Sequence, residues 1–506
     1  MEQRRPRSSS GTVIVVGAGI SGLTAAWRLK SAGINAVVLE QATRPGGRIH
    51  SINVNRCIME AGANFVTDAY RIIPQLAHEA RVPLRKVSNR SAIAAHSRLH
   101  AFRANWPPSA IRAGVLPLHT ALGEMPGLAK FAALSRRRRT FDPLDWLELD
   151  KLTAYEWAEQ FGLSAMLEHA WRPAYHGFYF QEAREASAAA VAAMASHGLR
   201  QHTLTIPGGL STLTNAMAAR LDVRTGVQVF EIAEARSKAV IRTSEGEFQA
   251  DGAVVALPGA ELEAVMELAP REEAVARTPY SAGLLVGLGL NRGLVPHELG
   301  GAYGVLMHPN EGTLAALCVA SRAGHAVDDD GGNSADASLQ PSGKSHRWGD
   351  RTTLDCTGIG RSGIGTSLVP ADVRSPKAAG HAHGIGAVRG RDVVTCMFSD
   401  GQARDLAARS DADIIAAARR ALLTWEPSLR NAFVNDGATS NAVVRIPYAM
   451  PTSTPGRLTA VAKYRRWARQ RRIILAGDSL AWPWSDSAAF AGAWAAAALL
   501  AGTLRQ

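Results

Sequence analysis

The segment that most constrains the fold lies near the start of the chain, where a β-branched run precedes three closely spaced glycines. Residues 12–16 predict a buried parallel strand, and residues 23–32 predict a helix. Gly17 permits a tight turn between them, Gly19 permits close approach to the backbone, and Gly22 permits the helix to pack on the strand. The unpaired N–H groups at the start of the helix then form an anion site made of backbone.

A carboxylate follows at the distance typical of nucleotide recognition. The apolar run 36–39 predicts a second strand, and Glu40 directly after it can accept hydrogen bonds from both hydroxyls of an adenosine ribose. The same carboxylate would repel a 2′-phosphate. A glycine turn alone is weak evidence, but its place between strand and helix, followed by this acid, predicts a dinucleotide site with an unphosphorylated ribose.

The next motif, Arg-Pro-Gly-Gly-Arg-Ile at residues 44–49, favours FAD over NAD. A glycine pair followed by arginine resembles the flavin amine oxidase superfamily, which includes monoamine oxidases, phytoene desaturases and protoporphyrinogen oxidases. The resemblance implies an α/β fold, with a Rossmann-type (GR2-like) FAD-binding domain of discontinuous segments plus an α+β substrate domain. It also implies that Gly46, Gly47 and Arg48 lie along the pyrophosphate and ribityl chain of FAD. The alternative for Arg48 is an exposed surface cation.

Three later segments resemble the parts of the superfamily that return to the nucleotide domain. Residues 207–229 predict a loop, a helix and a strand whose end borders the adenine, and residues 247–258 predict a second returning strand. Residues 472–478 predict a buried strand that ends in Gly477 and Asp478, close to the ribityl hydroxyls or the pyrophosphate. The alternative for Asp478 is an ordinary loop acid. The resemblance assigns these residues to FAD: Gly17, Ala18, Gly19, Ile20, Ser21, Gly22, Glu40, Gln41, Gly46, Gly47, Arg48, Gly62, Ala63, Asn64, Val227, Val229, Gly477, Asp478, Ser487 and Ala488.

The C-terminal part of the chain separates the branches of the superfamily. The spacing between residues 477 and 492 resembles protoporphyrinogen oxidases, and the middle of the chain loosely resembles protoporphyrinogen oxidases and desaturases. No Tyr follows Tyr464 and no Lys lies in the strand at 280–290, although amine oxidases use these residue types near the substrate. Residues 477–506 contain neither Cys nor His, so non-covalent FAD is expected. The helix after Asp486 would direct its N-terminal dipole at the reduced flavin.

The length of 506 residues predicts two domains, since one core rarely grows so large. We expect FAD-binding segments at 1–75, 201–260 and 441–506, a helical part of the substrate domain at 76–200, and its sheet part at 261–440. Residues 324–391, rich in Gly, Ser, Asp, Ala and Arg, predict a disordered insert between two neighbouring strands. His381 and His383 in it lack an adjacent acid or cysteine, so we predict no metal site.

Composition and charge indicate where the protein is located and which kinds of partner it could bind. The chain has no run of eighteen apolar residues, no apolar signal region in its first ten residues, and four cysteines without CxxC spacing, which favours the cytoplasm. The net charge of +12 is concentrated at residues 136–139 and 465–472. These runs are read as a solvated face, as attraction for an anionic substrate, or as peripheral contact with an anionic membrane. No nucleic-acid motif accompanies them, and the oligomeric state is unknown from the sequence.

Catalytic candidates are few, because flavin oxidation needs mainly a substrate bond held near the flavin and a dry pocket. Tyr175 and His176 are expected on the substrate face, where His176 is a proton acceptor or a core histidine. Trp482 and Trp484 replace small residues of the family's loop, and either shape an aromatic pocket or pack on the substrate domain. Arg90 lies close to the position where family members use an arginine against a substrate carboxylate.

The predicted reaction is the dehydrogenation of a small organic substrate, with electrons passing to FAD and then to oxygen or another acceptor. Protoporphyrinogen-type oxidation comes first, and the alternative is a desaturase or an oxidase of a specialised metabolite or amine. Two hypotheses of other classes are a flavin-independent NAD-binding protein, which the motifs at 46–48 and 477–478 disfavour, and a non-catalytic FAD-bound partner subunit.

Overall fold

The computed structural model describes residues 11–104, 106, 108–197, 202–325, 390–434 and 439–502. The predicted insert, with His381 and His383, lies almost wholly outside these ranges. The strands are β1 (Thr12–Val16), β2 (Asn35–Glu40), β3 (Ser51–Val54), β4 (Cys57–Glu60), β5 (Val66–Thr67), β6 (Arg85–Lys86), β7 (Arg90–Ala95), β8 (Arg98–Arg103), β9 (Thr203–Thr205), β10 (Asp222–Thr225), β11 (Val229–Ala235), β12 (Lys238–Thr243), β13 (Gly246–Ala250), β14 (Gly252–Val255), β15 (Tyr280–Leu290), β16 (Gly304–Met307), β17 (Leu314–Val319), β18 (Asp392–Phe398), β19 (Asn441–Pro451) and β20 (Ile473–Leu475).

The helices form three groups, which lie near β1 and β2, within residues 108–197, and against β15 and β19. They are α1 (Ile20–Ser31), α2 (Ile72–Glu79), α3 (Pro108–Arg112), α4 (Leu118–Gly123), α5 (Met125–Ser135), α6 (Ala154–Phe161), α7 (Ser164–Met166), α8 (Arg172–Tyr179), α9 (Ala188–His197), α10 (Ser211–Ala218), α11 (Gly259–Leu262), α12 (Pro270–Ala276), α13 (Asp400–Leu406), α14 (Asp411–Trp425), α15 (Arg457–Ala468) and α16 (Ser485–Ala501). Short 3₁₀ turns include Pro143–Leu149 and Asp478–Leu480, and Leu167–Trp171 forms a π-helical turn.

A five-stranded parallel sheet gathers segments from both ends of the chain. Its strand order is β10-β2-β1-β14-β20, and every neighbouring pair is parallel. The side chains of β14 and β20 are buried throughout, as are those of β1 after its first residue. Such continuous apolar strands are typical of a parallel sheet covered on both faces. The predicted Rossmann-type domain of discontinuous segments is confirmed.

The first and last helices pack closely beside this sheet. A Cβ on Gly492 of α16 would lie 1.9 Å from the carbonyl oxygen of Ser21 in α1, and a Cβ on Gly22 would lie 1.9 Å from that of Gly17. Neither position has room for a side chain, so glycine at both sites lets backbone meet backbone. The two helices therefore hold the glycine turn at a fixed distance from the end of β20.

A seven-stranded sheet forms the centre of the second part of the molecule. Its order is β19-β15-β18-β17-β16-β7-β8, antiparallel except for the parallel pair β16 and β7. The predicted pairing across the insert is confirmed, since Cys318 in β17 lies opposite Thr395 in β18. Smaller sheets are β11-β12-β13, β3-β4 and β5-β9-β6. This α+β arrangement agrees with the predicted substrate domain.

The domain boundaries stay predictions, with two changes that strand pairing requires. Residues 441–451, predicted in the third FAD-binding segment, form β19 and pair with β15 in the seven-stranded sheet. The third FAD-binding segment therefore begins after residue 451, where the last strand of the seven-stranded sheet ends. Residues 90–103, predicted in the helical part of the substrate domain, form β7 and β8 of the same sheet. In the described ranges, no helix combines the length and the apolar character needed to cross a bilayer.

Candidate cofactor and active site

The turn between β1 and α1 is an open cradle made of backbone. Gly17 has a φ of +94° and donates its N–H to the carbonyl oxygen of Leu39. Gly19 is the N-cap of α1 and receives no side-chain cap, and a Cβ placed on it would meet nothing within 4 Å. Helix N–H groups that face open space beside a glycine suit a pyrophosphate.

Glu40 closes one end of this cradle. Its carboxylate accepts the N–H of Ala18 at 2.7 Å and the N–H of Ala42 at 2.9 Å. The backbone of Val227 donates to the carbonyl oxygen of Glu40 at 2.9 Å. The half-buried carboxylate thus lies where β2 ends, between the glycine turn and the segment expected to border an adenine. Gln41 beside it is exposed.

The glycine pair packs directly on the first turn. Gly46 donates to the carbonyl oxygen of Ala18 at 2.8 Å and forms an isolated parallel bridge with Gly19. Gly47, at a φ of +56°, is so close to Gly19 that an added Cβ would lie 3.3 Å from its Cα. Both glycines are needed for this contact, because positive φ and close approach exclude larger residues.

Gly62 and Ala63 meet the backbone that follows the glycine pair. A Cβ on Gly62 would lie 1.9 Å from the carbonyl oxygen of Arg48, and Ala63 donates its N–H to that oxygen at 3.0 Å. The Asn64 amide donates to the carbonyl oxygen of Gly62 at 2.8 Å. The loop at residues 62–64 is therefore fixed to the backbone of Arg48, the arginine of the glycine-pair motif.

Arg48 and Asp478 form an ion pair across the cradle. Arg48 Nη1 lies 2.6 Å from Asp478 Oδ2 and also donates to the carbonyl oxygens of Tyr448 and Ala449. The Tyr280 hydroxyl donates to Asp478 Oδ1 at 2.9 Å. Burial lowers the pKa of Arg48, but the Asp478 carboxylate raises it further, so the net pKa is above the usual value.

The loop that follows β20 is held in place from two sides. Gly477, with a φ of +96°, donates its N–H to the Ser21 hydroxyl at 2.9 Å. The buried Arg457 uses Nη2 to donate to the carbonyl oxygens of three loop residues within 3 Å, namely Asp478, Ser479 and Ala481. A single guanidinium therefore fixes the turn that carries Asp478.

An aromatic cluster begins a few residues further along the same loop. Trp482 and Trp484 stack with ring centroids 5.5 Å apart. Trp484 also contacts Tyr179 at 6.0 Å and His197 at 5.3 Å, and His197 contacts Tyr70 at 5.7 Å. Burial lowers the pKa of His197 to about 4, so the cluster is uncharged at neutral pH.

The helix after this cluster begins at Ser485, and its first turn is occupied by internal contacts. The Asp486 carboxylate accepts three backbone N–H groups from the first residues of α2, at 2.7–3.0 Å. The Ser487 hydroxyl accepts the N–H of Trp482 and donates to the carbonyl oxygen of Phe141. The N–H of Ala488 makes the first bond within the helix, to Trp484.

These residues fit an FAD molecule. The turn between β1 and α1 offers open backbone N–H donors for the pyrophosphate, and Glu40 offers a carboxylate for the ribose. Arg48, paired with Asp478, follows the glycine pair that packs on this turn. The family model for flavin containing amine oxidoreductases matches residues 20–501. The chain belongs to this family. As a member of this family, the chain is an FAD-dependent oxidoreductase.

Segments and whole folds of known proteins resemble this flavoprotein. A stretch of 61 residues is 49% identical to protoporphyrinogen oxidase 2, chloroplastic/mitochondrial, of Arabidopsis thaliana, and covers 12% of each chain. The structure of wild-type putrescine oxidase bound to putrescine superposes with a TM-score of 0.63 at 14% identity, over 97% of this chain and 99% of that one. Cyclohexylamine oxidase from Brevibacterium oxydans IH-35A gives 0.61 at 15% identity, over 97% and 98%. The structural matches share the fold, and the sequence match spans only a small part of the plant protein.

Two of the catalytic candidates of this flavoprotein, Tyr175 and His176, lie on α8 in different surroundings, and the third, Trp484, directly precedes α16. Tyr175 contacts Tyr179 at 5.0 Å and so joins the cluster that contains Trp484. His176 is buried beside Glu182 and other charged groups, and burial lowers its pKa. The roles of all three candidates stay predictions, although Tyr175 and Trp484 share a surface that His176 does not.

Sequence reasoning missed three residues that organise the site: Tyr280, Arg457 and the α2-capping role of Asp486. Each acts on a partner far away in the chain, so no local motif marks it. The sequence indicates Asp486 only as a residue near the start of the last helix, which begins at Ser485. The strand predicted to run to Val229 ends at Thr225, and Val229 opens β11 of a separate sheet. Ile20 opens α1. The contacts of both residues with FAD stay predictions.

Proposed function

We propose that this flavoprotein dehydrogenates an organic molecule that carries aromatic rings and is uncharged or charged only at its periphery, and that protoporphyrinogen-type compounds are the first candidates. The observation that carries the proposal is the neutral aromatic cluster around Trp484, which continues from the loop that holds Asp478. FAD, when bound, supplies the acceptor for two electrons. Stacked aromatic side chains that exclude water suit the individual pyrrole rings of such a substrate.

The charges near the cluster support this choice over a cationic amine. Asp486 is the acid adjacent to it, and its carboxylate is already used by three N–H groups of α2. His197 is neutral at pH 7 because burial lowers its pKa to about 4. A buried ammonium group would therefore find no free carboxylate among these residues, and an unpaired buried charge is costly.

The second candidate is a desaturase or an oxidase of a specialised metabolite or amine. The space that Trp482 and Trp484 occupy favours this candidate. Trp482 is completely buried and Trp484 is 7% exposed, so two large side chains fill part of the region next to the cradle. A smaller substrate than a tetrapyrrole suits this packing. A non-catalytic FAD-bound subunit is the alternative from another class.

Anaerobic reduction tests these proposals with the purified protein. The visible spectrum is recorded with protoporphyrinogen and coproporphyrinogen, then with phytoene, putrescine and cyclohexylamine, and air is admitted at the end. Flavin bands that bleach only with a porphyrinogen and return in air support the first proposal. Bleaching only with another compound moves the function to the second, bands that no compound bleaches favour the subunit, and a colourless protein overturns FAD binding.

We also propose that FAD is held without a covalent bond and that the enzyme works in the cytoplasm with oxygen as one acceptor. Acid precipitation is expected to leave all flavin in the supernatant, whereas flavin in the pellet contradicts this. Cell fractionation with an epitope tag tests the location, and hydrogen peroxide formed per reduced flavin tests the acceptor.

A further inference from the structure

The outer edge of the seven-stranded sheet carries a basic cleft. Two adjoining cavities of about 370 and 500 Å³ lie against the β7–β8 hairpin and α3. Arg90 and Arg103 line both, and Trp106 and Arg112 line the larger one. We call these four residues the basic cleft.

The arginines of the basic cleft stand without counter-ions. Within the described ranges, no carboxylate pairs with the guanidinium groups of Arg90, Arg103 or Arg112. Arg90 and Arg103 lie directly opposite each other in neighbouring strands, an arrangement that destabilises a sheet when the charges are alike. Arg112 lies over the Trp106 ring at 5.7 Å. An external anion would relieve this repulsion.

The basic runs noticed in the sequence behave differently. Arg139 pairs with Asp145 at 2.7 Å, and the buried Arg465 pairs with Asp142 at 2.8 Å. Arg138 donates to Glu148. These three cations are neutralised within the protein, whereas Arg136, Arg137 and Arg469 of the same runs are exposed. The basic cleft differs from both runs because three arginines without a carboxylate partner among the described residues lie around one cavity there.

Exposed apolar side chains follow the basic cleft in the chain. Among described residues, four of the six large apolar side chains that are exposed fall between residues 106 and 125: Trp106 at 45%, Leu118 at 59%, Leu122 at 62% and Met125 at 55%. The last three recur at helical spacing and so share one side of α4 and the start of α5. We call Leu118, Leu122 and Met125 the apolar face.

We propose that the basic cleft and the apolar face together dock this enzyme on a bilayer that contains anionic phospholipid. Arginine forks bind phosphate through paired N–H donors, and a tryptophan suits the boundary between headgroups and acyl chains. The leucines and the methionine of the apolar face, which follow the basic cleft in the chain, then enter the upper acyl layer. This proposal goes beyond the proposed reaction and does not depend on it.

Vesicle flotation of the FAD-loaded enzyme tests this docking. Vesicles of phosphatidylcholine with one quarter phosphatidylglycerol are compared with pure phosphatidylcholine at about 0.1 M salt. We expect the enzyme to partition at least about 10-fold more strongly to the anionic vesicles than to the neutral ones. This difference should disappear near 1 M salt, because salt screens the charges. In the triple variant Arg90→Gln, Arg103→Gln and Arg112→Gln, partition to the anionic vesicles should fall about 100-fold, since each basic residue near the surface contributes about 5-fold.

The apolar contribution is tested separately with the variant Leu118→Asp, Leu122→Asp, expected to weaken partition at least about 10-fold. Two matched controls lie on the parallel-sheet side of the molecule. Arg220→Gln, Arg236→Gln and Arg469→Gln remove the same charge from exposed positions, and Phe230→Asp removes an apolar side chain that is 52% exposed. The controls should change partition less than about 3-fold.

Several results overturn the proposal. They are equal partition to both vesicles, loss of binding in the controls as large as in the cleft variant, and blocking of flotation by soluble glycerol phosphate at millimolar concentration. The last result would assign the cleft to a free phosphate ligand. Every variant is first checked for its flavin spectrum and melting temperature, so that a folding defect is recognised, and turnover without vesicles reports on the proposed function independently.

Discussion

Arg48 and Asp478 are 430 residues apart in the chain, and their side chains meet at 2.6 Å. Arg48 belongs to the glycine-pair motif, and Asp478 follows β20, the last strand of the parallel sheet. Their contact therefore joins an early segment of the cofactor site to a late one. Tyr280, from the seven-stranded sheet, donates to the same carboxylate. One acid therefore connects both parts of the molecule.

The variant Asp478→Asn should weaken FAD binding about 10-fold or more, since the loss of a charged hydrogen-bond acceptor leaves Arg48 without its partner. Fluorescence titration of the apoprotein with FAD measures the change. Asp405→Asn, at an exposed position, is the control. Equal affinities of the two variants would remove Asp478 from the cofactor site.

Replacing Glu40 by Ala should lower FAD affinity by roughly 1.5 to 3 kcal/mol, the range for a hydrogen bond to a charged group. Equilibrium dialysis with FAD measures this directly. Because Glu40 also accepts the N–H of Ala18, Glu40→Gln should retain part of the affinity. Unchanged FAD occupancy in Glu40→Ala would contradict the ribose assignment.

The glycines of the first turn should respond differently to alanine. At Gly19 a Cβ meets nothing within 4 Å and the φ is −66°, so Gly19→Ala should fold normally and bind FAD at least about 10-fold more weakly. At Gly22 a Cβ would lie 1.9 Å from the carbonyl oxygen of Gly17, so Gly22→Ala should lose stability as well. Melting curves of the apoproteins separate the effects. A normal FAD affinity in a folded Gly19→Ala would show that the open space does not hold the pyrophosphate.

Glu60 should make stability depend on pH. Burial raises its pKa to about 7, although the Ser51 hydroxyl and the N–H of Leu210 favour the charged form. Its contribution is fully present below the unfolded pKa of about 4.5 and is lost as the pH rises towards 7, by about 3 kcal/mol. Glu60→Gln should flatten this part of the profile in urea unfolding between pH 5 and 8. The exposed Glu245→Gln serves as reference, and parallel profiles for Glu60→Gln and the unmodified protein would refute the assignment.

Trp484→Ala should change substrate turnover while FAD stays bound, because its ring contacts Tyr179 and His197 rather than the glycine cradle. Truncating a buried indole also costs about 3 to 5 kcal/mol of stability. Trp484→Phe keeps most of the packing and isolates the effect on the substrate. Measured kcat/KM and bound flavin separate the outcomes, and loss of FAD with unchanged turnover per flavin would make Trp484 structural.

The parts of the site that the sequence predicts are those built from neighbouring residues. The turn at Gly17 and the strand that ends in Glu40 depend on local backbone geometry, so spacing alone reveals them. Arg457 acts on carbonyl groups more than twenty residues later, and its function follows only from the packing of α15 on the loop after β20. No periodicity could indicate that contact.

Charge was the least predictable property, because a sequence shows cations without their partners. The run at 136–139 contains Arg138 and Arg139, which the acids at 142–148 neutralise. The unpaired arginines of the basic cleft are instead dispersed over β7, β8 and α3. Only the register that places Arg90 opposite Arg103 brings them together.

The close contact between α1 and α16 sets an order for assembly during synthesis. A ribosome has made β1, α1 and β2 long before it reaches β20 and α16, so the early segments wait without the strand and helix that complete their sheet. The segments of the seven-stranded sheet emerge meanwhile and can pair with one another. FAD binding that needs Asp478 therefore has to follow the synthesis of β20.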